Sequence, residues 1–255
     1  MYRLSSRYGW KPDLPDRRDL SYAAPAEVLS ALPPKVDLTA QCPPVYDQGQ
    51  LGSCTANSIG GAFEFELLKQ GLQDFMPSRL FIYYNERVIE NTVNNDNGAQ
   101  IRDGIKSVSK QGVCSETLWP YIISEFAVKP YQSCYTAALS NIATSYHRVS
   151  RNINQMKGCI ADGYPFVIGF TVYSGFESPE VAKTGKLNLP TNVESVVGGH
   201  AVLVVGYDDN NDTGRFIVRN SWGSGWGLQG YFTMPYEYLL DANLSDDFWT
   251  IRLVK

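Results

Sequence analysis

The sequence predicts an α+β fold of two lobes, helical first and strand-rich second, and three observations carry that prediction. Apolar residues recur at helical spacing between positions 54 and 111, and short Val-, Ile-, Phe- and Tyr-rich runs between turn signals fill the second half. With 255 residues, 44% of them hydrophobic and 13% aromatic, the chain also has the material for a large core.

Residues 1–35 come first and differ from the rest. Prolines and alternating charges in "KPDLPDRRD" predict an extended segment lying over a surface. From Cys54 the pattern becomes helical: Ala56, Ile59, Phe63 and Leu67 share a face, and Lys69 followed by Gly71 is a stop signal. Two more helices are predicted, at about 78–91 and at about 100–111, where Ile101, Ile105 and Val108 share a face and Gly112 ends the run. "PFVIGFTVY", "HAVLVVGY", "RFIVRN", "GYFTM" and "FWTIRLV" then read as strands. This divides the chain into an N-terminal segment, 1–35, and a domain, 36–255, with a helical lobe over about 50–140 and a β lobe over about 141–255.

Charge and cysteines narrow the function. A net charge of −4, with no long basic run, argues against nucleic acid as the main partner. No apolar stretch reaches signal-peptide or membrane-spanning length, so a soluble chain is expected; its compartment stays open, secretion included. The cysteines, at 42, 54, 114, 134 and 159, form no C-x-x-C pair and stand with only two histidines, which makes a zinc site a poor explanation. No metal or organic cofactor is called for. Whether Cys42, Cys114, Cys134 and Cys159 pair is left open, Cys114 with Cys134 included.

Cys54, in "YDQGQLGSCTANS", sits where a helix begins, and a helix N-terminus with a neighbouring imidazolium lowers a thiol's pKa into the working range. Two histidines are candidates for that partner. His147, in the polar "SYHRVS", reads as an ordinary surface or packing residue, whereas His200, in "VGGHAVLVVGY", is offered from a strand end into a cleft. The next strand returns Asn220 as a candidate to orient His200, and "NSWGSGWGLQGY" sets Trp222 and Trp226 among glycines.

"DQGQLGSC", "GGHAVLVVGY" and "NSWGSGWGLQGY", in that order, resemble the papain-like cysteine peptidases, from about Val36 to the C-terminus. The resemblance implies a papain-like two-lobed fold, a helical lobe and a barrel-like antiparallel β lobe with the active site in the cleft between them. It implies Cys54 as nucleophile, His200 as general base and then acid, Asn220 as orienter of His200 and Gln48 as oxyanion-hole donor. Protein or peptide substrates would be cleaved through a thioester. Leu51 stands where a common structural cysteine is found and Thr55 replaces the usual aromatic, which fits a bacterial type with fewer disulfides. The rivals are a non-catalytic binding module on the same fold, against which all four groups stand, and another thiol acyl-transferase or amidase, which lacks the Asn-Ser-Trp-Gly run.

By the same resemblance, Gly98 and Ala99 would contact substrate backbone, Gly169 and Ala201 would line the second specificity pocket and Trp222 would shield the His200–Asn220 bond. Asp246, in "LSDDFW", would reach that pocket's floor and admit a basic side chain, or else belongs to a solvated acidic pair before a strand. Family members carry inhibitory pro-segments; residues 1–35 are shorter than the usual one, and "WKPDLPDRRDLSY" is expected to lie across or beside the cleft as an intramolecular inhibitor, or else to pack on the back of a lobe.

Overall fold

A computed structural model describes residues 8–210 and 213–255. Its helices are α1 (Ala26–Ser30), α2 (Cys54–Lys69), α3 (Arg79–Ile89), α4 (Ile101–Lys110), α5 (Gln132–Ala138), α6 (Ile153–Ala161), α7 (Pro179–Thr184) and α8 (Tyr236–Leu240). The strands are β1 (Trp10–Lys11), β2 (Lys35–Asp37), β3 (Ala99–Gln100), β4 (Ala143–Arg148), β5 (Phe166–Tyr173), β6 (Val196–Asp208), β7 (Arg215–Arg219), β8 (Tyr231–Pro235) and β9 (Ser245–Val254).

α2 is buried from Cys54 through Leu67, against α3 and α4 on one side and β6 on the other. A helix enclosed all round needs no polar stripe, which explains why small and apolar residues surround its axis. α4 is the opposite case: Ile101, Ile105 and Val108 face inward while Lys110 marks its solvent side. α3 starts at Ser78, whose hydroxyl accepts from Phe81 N at 3.1 Å and donates to Trp119 O at 2.7 Å. Both bonds are buried, so Ser78→Ala is expected to cost about 1–3 kcal/mol. Urea unfolding checks this, and an unchanged midpoint would remove Ser78 from the fold's supports.

The strand runs form an antiparallel sheet in the order β4-β9-β5-β6-β7-β8, with β2 added to the far end of β6. β5 and β6 run as unbroken apolar stretches because they are buried for most of their length. The N-terminal segment makes its own small sheet: β1 pairs parallel with β3, Trp10 opposite Ala99. It then crosses to the edge of the main sheet, where Tyr22 N donates to Arg148 O at 2.8 Å. Among the described residues no helix is long and apolar enough to cross a membrane.

Candidate active site

The loop before α2 is held from several directions. Gln48 N donates to Ser221 O at 2.9 Å and Gly223 N to Tyr46 O at 2.9 Å, stitching it to the turn after β7. Two buried arginines hold its flanks: Arg79 Nη1 donates to Asp47 O at 3.1 Å, and Arg219 donates to the carbonyls of Pro43 and Pro44, each at 2.6 Å. The Gln48 side chain is fully buried, with Oε1 accepting from Ser221 Oγ at 2.7 Å and Nε2 donating to Leu51 O at 2.9 Å. Gly52 N donates to Asp96 Oδ1 at 2.9 Å, so the peptide entering α2 is fixed as well.

Cys54 is the first residue of α2, at the positive end of the helix. It is fully buried, and burial pushes its thiol up to about 12, against the pull of the Ala201, Gly9 and Thr55 N–H groups on Sγ. The Ala201 contact sets Sγ beside the residue that follows His200. On β6, His200 Nε2 lies 2.8 Å from Asn220 Oδ1, which also accepts from Ser221 N at 2.8 Å. An amide oxygen at Nε2 favours the tautomer protonated there, which leaves Nδ1 to exchange a proton. Aromatic rings surround the imidazole, with centroids at 5.2 Å for Trp222, 5.8 Å for Phe170 and 6.2 Å for Phe176. Trp226 packs edge-on against Trp222 at 5.1 Å.

The N-terminal segment covers these groups. Tyr8 meets His200 edge-on at 5.7 Å and Trp222 at 6.1 Å, with its hydroxyl donating to Glu177 Oε1 at 2.7 Å. Gly9 presents its N–H to Cys54 Sγ and accepts from Ala99 N at 2.7 Å. A Cβ on Gly9 would stand 1.8 Å from Gly52 O, and one on Gly98 would stand 1.9 Å from Gly9 O, so the two glycines permit a backbone-to-backbone approach. Trp10 follows into a recess where a Cβ on Gly169 would lie 2.0 Å from its indole, and one on Gly199 would lie 2.7 Å from its carbonyl oxygen. Ala201 pairs with Gly169 across β5 and β6.

Asp246, expected at the floor of this recess, is half exposed and turned towards Arg148 and Arg151, at 3.3 Å from each. It is Asp247 that points in. Asp247 is buried, and Oδ2 accepts from Trp10 Nε1 at 3.0 Å and from Asp13 N at 2.8 Å, while Oδ1 accepts from Arg148 Nη2 at 2.9 Å. The register between β5 and β9 shifts between Val167 and Gly169, and Asp247 adopts φ 59; such an irregularity re-aims a side chain that simple alternation would misplace. Beyond the recess, Asp13 accepts from Arg102 N at 3.0 Å and Trp249 Nε1 at 2.9 Å, and Asp19 pairs with Arg102 at 2.5 Å.

Sequence reasoning missed Tyr8, Gly9, Trp10, Asp13, Gly199, Ser221 and Asp247. The one signal for the first three was an aromatic-Gly-aromatic triplet within the extended segment. His147 lies on β4 opposite Thr250, where burial and then Arg252 lower its pKa. All five cysteines are free thiols, Cys114 and Cys134 included.

Residues 32–240 match the model of the papain family cysteine proteases. The crystal structure of xylellain, a cysteine protease from Xylella fastidiosa, is similar with a TM-score of 0.92 and 47% identity, over 98% of this chain and 97% of that one. An uncharacterized peptidase C1-like protein of Acanthamoeba polyphaga mimivirus is 42% identical over 98% of this chain and 88% of its own length. A cathepsin L-like proteinase of Fasciola hepatica is 28% identical over 84% of this chain and 64% of its own.

Proposed function

The chain belongs to the papain family of cysteine proteases, and on that premise we propose that it is an endopeptidase acting through Cys54, His200, Asn220 and Gln48, held closed by its own residues 8–13. The observation that supports the reading best is the convergence of separated segments: the thiol heading α2, the Ala201 backbone N–H that acts on that thiol from the position next to His200 on β6, and the amide that bonds the His200 imidazole at 2.8 Å. In the open site the Cys54 thiol would pass its proton to His200 Nδ1, and the thiolate would attack a peptide carbonyl. The oxyanion would be met by the Gln48 side-chain amide and the Cys54 N–H, both fixed in advance. His200 would then protonate the departing amine, and water would hydrolyse the thioester. Gly98 and Ala99 would carry the substrate backbone, as they now carry Gly9, with Gly169 and Ala201 lining the adjoining recess. Trp222 would keep water from the His200–Asn220 bond.

The closed state has a chemical logic. Attack requires a carbonyl carbon at Sγ, whereas the segment offers an N–H there and gives its Gly9 carbonyl to Ala99. It therefore fills the site without being a substrate. Burial of the thiol raises its pKa and so favours the protonated, less nucleophilic form.

Alkylation by stoichiometric iodoacetamide across about pH 4–9, with the modified cysteine located by mass spectrometry, tests the reading. In a chain lacking residues 1–13, Cys54 should label well below the ordinary thiol pKa of about 8.5, and His200→Ala should abolish that labelling. In the full-length chain Cys54 should resist. A truncated, folded chain whose Cys54 labels only as an ordinary thiol and which cleaves no peptide would overturn the catalytic roles. Equal labelling of both chains would overturn the closure.

A further inference from the structure

We infer that Asp247 determines specificity and selects tryptophan at the substrate residue immediately preceding the one whose carbonyl is attacked. The inference rests on the peptidase reading above and deepens it. Gly9 lies over Cys54, Tyr8 packs on His200 and Trp222, and Trp10 occupies the recess on the other side. A leaving amine has to reach His200 to be protonated, so the leaving-group side of a substrate takes the place of Tyr8. The acyl-side neighbour then takes the place of Trp10, and the substrate runs through the cleft in the sense opposite to the segment.

What awaits that neighbour follows from the contacts Trp10 now makes. The recess is flat-walled, because Gly169 and Gly199 carry no side chain, and an indole fills it. At its end stands the Asp247 carboxylate, buried, with an oxygen aimed at the indole N–H. When the segment leaves, Oδ2 loses both the Trp10 and Asp13 donors while Oδ1 keeps Arg148. A buried acceptor stripped of its partners discriminates strongly in favour of a side chain that returns one.

Charge decides between a neutral donor and a cation. Asp247 and Asp246 are balanced by Arg148 and Arg151, which lie within 3.3 Å of one or both carboxylates. The recess left open is thus close to neutral, and a substrate lysine or arginine would meet the Arg148 guanidinium at the carboxylate it sought. An indole brings the donor without the charge. Phenylalanine matches the walls and leaves Oδ2 unpaired.

The test uses the chain lacking residues 1–13 and fluorogenic peptides that differ only at this position, carrying Trp, benzothienylalanine, Phe or Arg. Benzothienylalanine replaces the indole N–H by sulfur at nearly constant shape, so it isolates the hydrogen bond without mutating the protein. The expected result is a kcat/KM for Trp about tenfold or more above benzothienylalanine and Phe, with Arg lower still. Asp247→Ala should bring Trp down to the level of benzothienylalanine. Equal rates for Trp and benzothienylalanine, or a preference for Arg, would overturn the inference while leaving the peptidase reading intact. A folded chain that hydrolyses none of the four would overturn both.

Discussion

Gly9→Ala in the full-length chain is expected to raise peptide hydrolysis about 100-fold. The added methyl would stand 1.8 Å from the carbonyl oxygen of Gly52, a backbone atom in a loop that Asp96 anchors at the Gly52 N–H. Gly98 closes the other side, where a Cβ would stand 1.9 Å from the Gly9 carbonyl oxygen. The segment has to lift, which breaks the Gly9–Ala99 bond and draws Trp10 from its recess. An overlap of this kind costs about 3 kcal/mol, which converts to about 100-fold in the open population. Only the docking of the segment is touched, so the melting temperature of the domain should change little. The chain lacking residues 1–13 sets the ceiling. If that chain and Gly9→Ala both remain folded and hydrolyse no faster than the parent, the segment is a covering without a regulatory role.

Much of this arrangement was legible in the sequence, and the limit falls where local pattern stops carrying information. The start of α2 at Cys54 was readable because helical periodicity begins there, and the long β5, β6 and β9 strands because buried strands read as apolar runs. β4 was not, since "ATSYHR" is half polar and earns its pairing from β9 on one side. Cys54, His200, Asn220 and Gln48 could be named as candidates because they fall in three separated motifs, Gln48 and Cys54 sharing the first. The recess was not: Trp10 and Asp247 meet across 237 residues, and no spacing rule connects them. Asp246 was the expectation drawn from "LSDDFW" and the resemblance, and register pairs it with Gly169. The left-handed turn at Asp247 exchanges the roles of the two carboxylates, and a φ of 59 at an aspartate has no sequence signature.

Asn220→Ala in the chain lacking residues 1–13 is expected to lower kcat about 100-fold with little change in KM. The Asn220 oxygen bonds His200 Nε2 and the Ser221 N–H, and neither is a group that holds Trp10. Removing it leaves the imidazole free to take the other tautomer, in which Nδ1 is protonated and cannot accept the thiol proton. The loss is held below the roughly 10⁴-fold that follows from a wrong tautomer in a serine triad, because Trp222, Phe170 and Phe176 still confine the ring. Rotation about the side chain is therefore a smaller part of the damage than tautomer choice. Steady-state kinetics on a single peptide separates the cases. A fall in kcat matching that of His200→Ala would mean that the amide, and not the aromatic cage, holds the ring. An unchanged kcat would remove Asn220 from the machinery and leave Trp222 as the group that orients His200.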